Sequence, residues 1–272
     1  MQAVVETWGR KCDVLIGASN VTDPTLHTYR IESMKGYWGI WDKLLQALKL
    51  ILEADPSLNL QQGFPEFDWI LKADDDTYVI MENLQSFLAN ITTASSSPAG
   101  EALTEPRIYG RTMAWPRLKR FQDMQGWFGD QLNQEFGKRF YSKLSAEETL
   151  RFSNGGPGYI MNRAYAQQLV DAYFGGNAIK GEVAEDIANA VTMLYHGIRP
   201  RSTFDMDAGR ERMHPESPQT MYEDPIWMEK MHHGMKGSVH GQGEKCCSPT
   251  SISFHYVADF QMRLLDYQLY HC

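Results

Sequence analysis

An amphipathic segment, GYWGIWDKLLQALKLILEAD at 36 to 55, stands between two short apolar runs, CDVLIGAS at 12 to 19 and FDWILKA at 67 to 73. Its apolar residues recur at helical spacing, which predicts a helix that stops before Pro56. The flanking runs read as buried strands. A strand, a helix and a second strand in that order predict an α/β architecture with a parallel pair joined by a right-handed crossover. Sites in such folds gather at the carboxyl ends of the strands. Directly behind the second apolar run stand three consecutive aspartates, Asp74, Asp75 and Asp76.

Further along, TYVIMENLQSFLANI at 77 to 91 reads as a helix, TTASSSPAGEALTEP at 92 to 106 as a loop, and RIYGRTM at 107 to 113 as a strand. Residues 114 to 151 show no clear period and read as an irregular insertion with one short helix around SAEETLRF. NGGPGYIMNRAYAQQLVDAYFG at 154 to 175 predicts a glycine turn, a short strand and a helix, and EVAEDIANAVTMLYHG at 182 to 197 a second helix. After a polar, turn-rich stretch from 198 to 248, TSISFHYV at 250 to 257 reads as a strand and ADFQMRLLDYQLYH as a closing helix. The 272 residues fit a single domain, 1 to 272, without internal repeats.

A formal charge of −8 and a pI near 5.5 argue against a nucleic-acid partner, which calls for a basic face, and in favour of a cation. The best membrane candidate, LLQALKLILEA at 44 to 54, is too short to span a bilayer and is broken by Lys49. The opening MQAVVETWGRKCDVLIGAS reads as the middle of an α/β unit, so an upstream strand and a targeting segment are expected to be missing. The cysteines, at 12, 246, 247 and 272, have no zinc-ligand spacing. The adjacent pair is either two ordinary thiols or a vicinal disulfide. Asn-x-Thr sequons at Asn20 and Asn90 are compatible with a lumenal chain.

Three adjacent carboxylates repel one another unless a positive charge neutralises them. Hard oxygen donors suit magnesium or manganese, whereas the plainer reading is a solvated turn capping a helix that starts near Thr77. An apolar strand running into D-x-D favours a metal set against a diphosphate, acting as a Lewis acid. In SISFHYV, alternation places Ser253, His255 and Val257 on one face and Ile252, Phe254 and Tyr256 on the other. His255 is then a packed strand residue or a third ligand, and an imidazole shifts the preference from magnesium toward manganese. Glu185 and Asp186 open a helix, where acidic residues serve the dipole or, in a site, one of them serves as a general base. Gly155, Gly156 and Gly158 form a tight turn or let the backbone approach a ligand. Trp227 is a core tryptophan or a sugar platform.

Taken in order, TWGRKC, DWILKADDDTYVIMENL, YGRTM, NGGPGYIMN, EDIANAV, HPE and CCSPTSISFHYV resemble the core 1 β1,3-galactosyltransferases, relatives of Fringe, over most of residues 4 to 262. The resemblance implies a GT-A nucleotide-sugar glycosyltransferase fold, with a mixed central sheet flanked by helices. It also implies an inverting mechanism, Mn2+, and a lumenal Golgi catalytic domain that transfers galactose from UDP-galactose to O-linked N-acetylgalactosamine on glycoproteins. It leaves a homodimer open. Carried over by position, Asp74, Asp76 and His255 are metal ligands, Asp186 is the base and Glu185 supports it. Asp74, Asp75, Gly155, Gly156, Gly158 and Tyr256 border the donor, Trp227 stacks on the acceptor, and Cys246 and Cys247 match an adjacent bonded pair. This sequence departs from the family in the missing first strand, the long 114 to 151 segment and a Met- and His-rich stretch at 220 to 240.

Overall fold

The computed structural model describes residues 1–32, 36, 39–54, 66–93, 101–115, 149–180, 184–224, 241 and 243–271. The chain opens with α1 (Gln2–Glu6), β1 (Gly17–Ser19), β2 (Thr28–Arg30) and α2 (Ile40–Leu52). β3 (Trp69–Lys72), β4 (Tyr78–Val79), α3 (Met81–Thr93), α4 (Glu101–Thr104), β5 (Ile108–Gly110), β6 (Thr112–Trp115), β7 (Leu150–Ser153) and β8 (Tyr159–Asn162) follow. The remainder comprises α5 (Arg163–Phe174), α6 (Glu185–Tyr195), β9 (Arg201–Ser202), β10 (Met213–His214), α7 (Pro218–Glu223), β11 (Ser253–Phe254) and α8 (Asp259–Tyr270).

A four-stranded mixed sheet, in the order β3-β8-β5-β9, forms the centre. β8 runs antiparallel to both β3 and β5, and β5 runs parallel to β9. Alternate residues of these strands feed opposite faces, as the pleat requires. Ile108, Tyr159 and Met161 join Trp41, Leu45 and Leu48 of α2 with Tyr165 and Leu169 of α5 and Ile187 and Val191 of α6. Tyr109 and Ile160 join Trp8, Tyr78, Val79, Leu84 and Met262 on the other face. The helix predicted around 36 to 55 thus forms as α2, burying residues at i, i+4 and i+7. Each fully buried side chain of this kind contributes about 1.5–3 kcal/mol of hydrophobic stabilisation.

Several local expectations are corrected. The 12 to 19 run yields only β1, whose partner is β2 in a separate two-stranded sheet, and β3 has antiparallel β8 as its neighbour. The expected parallel crossover is therefore absent among the described residues. An apolar run signals burial, not which strand will pair with it: Leu15 packs under the sheet without joining a ladder. The helix expected from Thr77 starts at Met81, because Tyr78 and Val79 are buried and pair antiparallel with Ser253 and Phe254 of β11. RIYGRTM divides at Arg111 between two sheets, β5 in one and β6 in the other. The end of SAEETLRF is strand β7, with Leu150 and Phe152 buried and Arg151 exposed, while residues 116–148 lie outside the described residues. TSISFHYV is extended as a strand only at Ser253–Phe254. Among the described residues, no helix is long and apolar enough to cross a membrane.

Candidate active site

β3 delivers the aspartates to the edge of the sheet, and four contacts hold them there. Thr77 N donates to Asp74 O at 3.1 Å, closing a turn. The buried Thr77 hydroxyl donates to Gly156 O at 2.7 Å, and the Trp8 indole donates to Thr77 O at 2.9 Å. Val257 N donates to Asp76 O at 2.8 Å, which brings the segment after β11 alongside. Because α3 begins only at Met81, the carboxylates do not cap it, and the capping alternative falls away.

Asp74, Asp76 and His255 each offer one ligand atom, and these atoms all lie within 4.8 Å of one another. His255 Nε2 is 3.2 Å from Asp76 Oδ1 and 3.7 Å from Asp74 Oδ2. Its Nδ1 lies 3.2 Å from Pro215 O, which can only accept, so Nδ1 carries the hydrogen. A neutral ring then turns its Nε2 lone pair toward two carboxylates. Three acceptors facing one another need a cation between them, either a proton on the ring or a metal ion. Burial pushes the Asp76 carboxyl up, but with the ring protonated its contact with His255 outweighs this and holds it below the ordinary value. The chemistry of the set, two carboxylate oxygens and one imidazole oriented by a backbone carbonyl, fits a divalent cation.

A second acidic centre sits at the start of α6. Glu185 is buried. Its Oε1 accepts from the Tyr159 hydroxyl, and its Oε2 is 3.3 Å from Lys72 Nζ. Lys72 and Tyr159 are register partners across β3 and β8, so their side chains leave the sheet on one face. The Lys72 ammonium also lies 2.7 Å from Asp74 Oδ1 and donates to Gly155 O at 3.1 Å, which links the two centres. Burial would lower the Lys72 pKa, but Glu185 and Asp74 together raise it, and it stays charged.

Asp186 is freer than its neighbour. Its Oδ2 accepts from Gly155 N at 3.1 Å and its Oδ1 from Ile187 N at 2.8 Å. One oxygen is therefore partly engaged with its own helix, in line with the dipole role that the sequence also allowed. Burial and then the adjacent Glu185 raise the Asp186 pKa to about 6, against the opposing pull of the Gly155 and Ile187 amides and Lys72. A carboxylate in that range is matched to proton abstraction near neutral pH.

The remaining candidates are dispersed. Asp75 turns away from the cluster, with its side chain 69% exposed and 3.3 Å from the Met1 amino group. Gly158 has φ +84, and a Cβ there would stand 2.5 Å from Lys72 O, so it serves the turn beside β3. Tyr256 is exposed, with φ 52, and its ring lies 3.8 Å from that of His255. Burial and then the carboxylates of Glu216, Asp76 and Asp74 raise its pKa, which places its hydroxyl within their field. Trp227 and Cys272 lie outside the described residues. Cys246 and Cys247 are joined by a disulfide, while Cys12 is a free thiol pushed up to about 11 mainly by burial.

Sequence reasoning missed Lys72, Tyr159 and Glu216. Lys72 carried a usable signal, since alternation puts it on the same side of the strand end as Asp74. Glu216 is buried, its Oε1 has no hydrogen-bond partner among the described residues, and burial raises its pKa to about 7 against the pull of His255.

A family model described as Fringe-like matches residues 1–195, a span holding the aspartates, the glycine turn and the acidic start of α6. The chain belongs to the Fringe-like family. The mixed sheet with helices on both faces is the GT-A-like glycosyltransferase fold of that family. Among curated proteins, glycoprotein-N-acetylgalactosamine 3-beta-galactosyltransferase 1 of Xenopus laevis is similar, at 26% identity over 274 residues. That alignment takes in 98% of this chain, His255 included, and the chain spans 61% of the relative's length.

Proposed function

We propose that this chain is an inverting, metal-dependent β1,3-galactosyltransferase that moves galactose from UDP-galactose to the 3-hydroxyl of N-acetylgalactosamine on Ser or Thr of a glycoprotein. One observation carries this reading: two acidic centres of different character, a cation-ready trio and the Glu185–Asp186 pair with its base-ready Asp186, are linked through Lys72, which contacts Asp74 in the first and Glu185 in the second. Asp74, Asp76 and His255 would hold a divalent cation, which supplies Lewis acidity to the leaving diphosphate. Asp186 takes the proton of the acceptor hydroxyl as that oxygen attacks the anomeric carbon from the face opposite the diphosphate. A single displacement inverts the centre without a covalent sugar intermediate, so no protein nucleophile is required.

Glu185, held by Tyr159 and Lys72, acts as support and not as the base. The choice of galactose and N-acetylgalactosamine is supported by the Xenopus relative, whose name states that chemistry. A Golgi lumenal setting and a glycoprotein acceptor belong to the same proposal, and the Cys246–Cys247 disulfide is in keeping with an oxidising compartment.

The test is a donor panel. The purified chain with Mn2+ is offered UDP-galactose, UDP-glucose, UDP-N-acetylglucosamine and UDP-N-acetylgalactosamine against a peptide bearing α-linked N-acetylgalactosamine, and the products are read by NMR. A β1,3-linked galactose is expected. Transfer of N-acetylglucosamine instead would point to a Fringe-like donor choice, and no turnover of any donor would leave a non-catalytic relative.

A further inference from the structure

We propose that the two adjacent glycines of the turn before β8 position different halves of the site: Gly156 seats the His255 imidazole, and Gly155 seats the acidic pair that opens α6. The inference rests on the reading just given. Neither glycine has a positive φ, so what the site requires of them is space. A Cβ on Gly156 would stand 2.4 Å from His255 Nδ1, 2.6 Å from Cε1 and 2.9 Å from Cγ. A Cβ on Gly155 would instead stand 3.1 Å from Glu185 Oε2 and 3.5 Å from Asp186 Cβ. One methyl group threatens the metal half and the other the base half.

The turn cannot retreat to make room. Gly158 N donates to Gly155 O at 3.0 Å, and Thr77 holds Gly156 O at 2.7 Å. Ser253 Oγ donates to Pro157 O at 2.6 Å, and Lys72 donates to Gly155 O at 3.1 Å. The imidazole is the piece left to move, and movement breaks its 3.2 Å contact with Pro215 O and turns Nε2 away from Asp76. The carboxylate neighbours of Gly155 overlap less, but their position is set partly by the Gly155 amide, which donates to Asp186.

Gly156→Ala, Gly155→Ala, His255→Ala and the double variant Gly156→Ala/His255→Ala are compared with wild type by calorimetric titration with MnCl2. The ring 15N shifts of His255 are recorded in metal-free protein. Gly156→Ala should weaken Mn2+ binding about 10- to 100-fold, the usual effect of disturbing what orients a ligand. It should also move the 15N shifts away from the Nδ1–H pattern. Gly155→Ala should bind Mn2+ within about twofold of wild type while kcat falls and donor KM holds, the mark of a group acting on the chemical step. The double variant has room for the methyl, so its Mn2+ affinity should equal that of His255→Ala alone. Wild-type affinity with unmoved ring shifts in Gly156→Ala, or equal loss of Mn2+ binding in both single glycine variants, overturns the inference. If Gly156→Ala does not fold, a folded double variant supports it and an unfolded one overturns it. Absence of Mn2+ binding by the wild-type protein would sink the metal reading, while the metal-free ring shifts would still judge Gly156.

Discussion

Asp186→Asn should make the protein more stable and far less active. The Asp186 carboxyl rises from an ordinary 3.8 to about 6 on folding, mainly through burial beside Glu185, so the folded state binds its proton more tightly than the unfolded state does. Stability is therefore lost as pH climbs from about 4 to about 6, and the full cost is present at pH 7.5. At about 1.4 kcal/mol per unit, the two-unit shift is worth about 3 kcal/mol; partial exposure of the side chain reduces this, giving a range of about 1–3 kcal/mol. Asparagine keeps the shape and one oxygen without the charge, but its NH2 leaves one of the two amides, Gly155 or Ile187, without its acceptor, which places the expected gain toward the low end of that range.

Urea melts should show Asp186→Asn more stable than wild type by that amount at pH 7.5, with the gap closing near pH 4. In the same protein kcat should fall about 100-fold or more, as expected for loss of a general base, with donor KM nearly unchanged. Wild-type activity should decline as pH falls through about 6, where Asp186 takes up its proton. Near wild-type turnover in Asp186→Asn, a larger loss in Glu185→Gln, or a stability gap independent of pH would each refute the assignment.

Two further outcomes follow from the same contacts. Lys72→Met leaves Glu185 and Asp74 without their shared cation and should cost about 3–5 kcal/mol in denaturant melts, with partial recovery when Glu185→Gln is added; an unchanged midpoint would remove Lys72 as the link. Mass spectrometry of unreduced peptides should find Cys246 and Cys247 bonded to each other and the Cys12 thiol alkylated only after unfolding; two free adjacent thiols would contradict the first point.

The candidate ligands Asp74, Asp76 and His255 could be picked out in the sequence because the signals that mark each of them are local. An apolar strand ending in D-x-D fixes where Asp74 and Asp76 lie, and alternation around Ser253 puts His255 on the buried side of its segment. Their convergence depends on β4 pairing with β11, Tyr78 against Phe254, a long-range register that periodicity does not encode. The same limit explains the mistaken crossover. CDVLIGAS and FDWILKA look alike as apolar runs, yet β3 finds its ladder partner in β8 and β1 finds β2. By residue type and position alone Glu185 and Asp186 are equal carboxylates, and in the sequence the family resemblance is what ranked Asp186 above Glu185. The Tyr159 hydroxyl and the Lys72 ammonium, both brought from other strands, engage Glu185, whereas among the described residues Asp186 meets only the backbone amides of Gly155 and Ile187.

The central claim is that Asp74, Asp76 and His255 jointly bind a divalent cation that in turn holds the donor's diphosphate. Titration of Mn2+ followed by electron paramagnetic resonance, with and without UDP, tests it on wild type and Asp76→Asn. Wild type should take up a single class of Mn2+ whose affinity rises when UDP is present, and Asp76→Asn should lose that uptake while its metal-free melting curve stays at the wild-type position. Equal uptake by the two proteins, or wild-type uptake indifferent to UDP, would contradict the account.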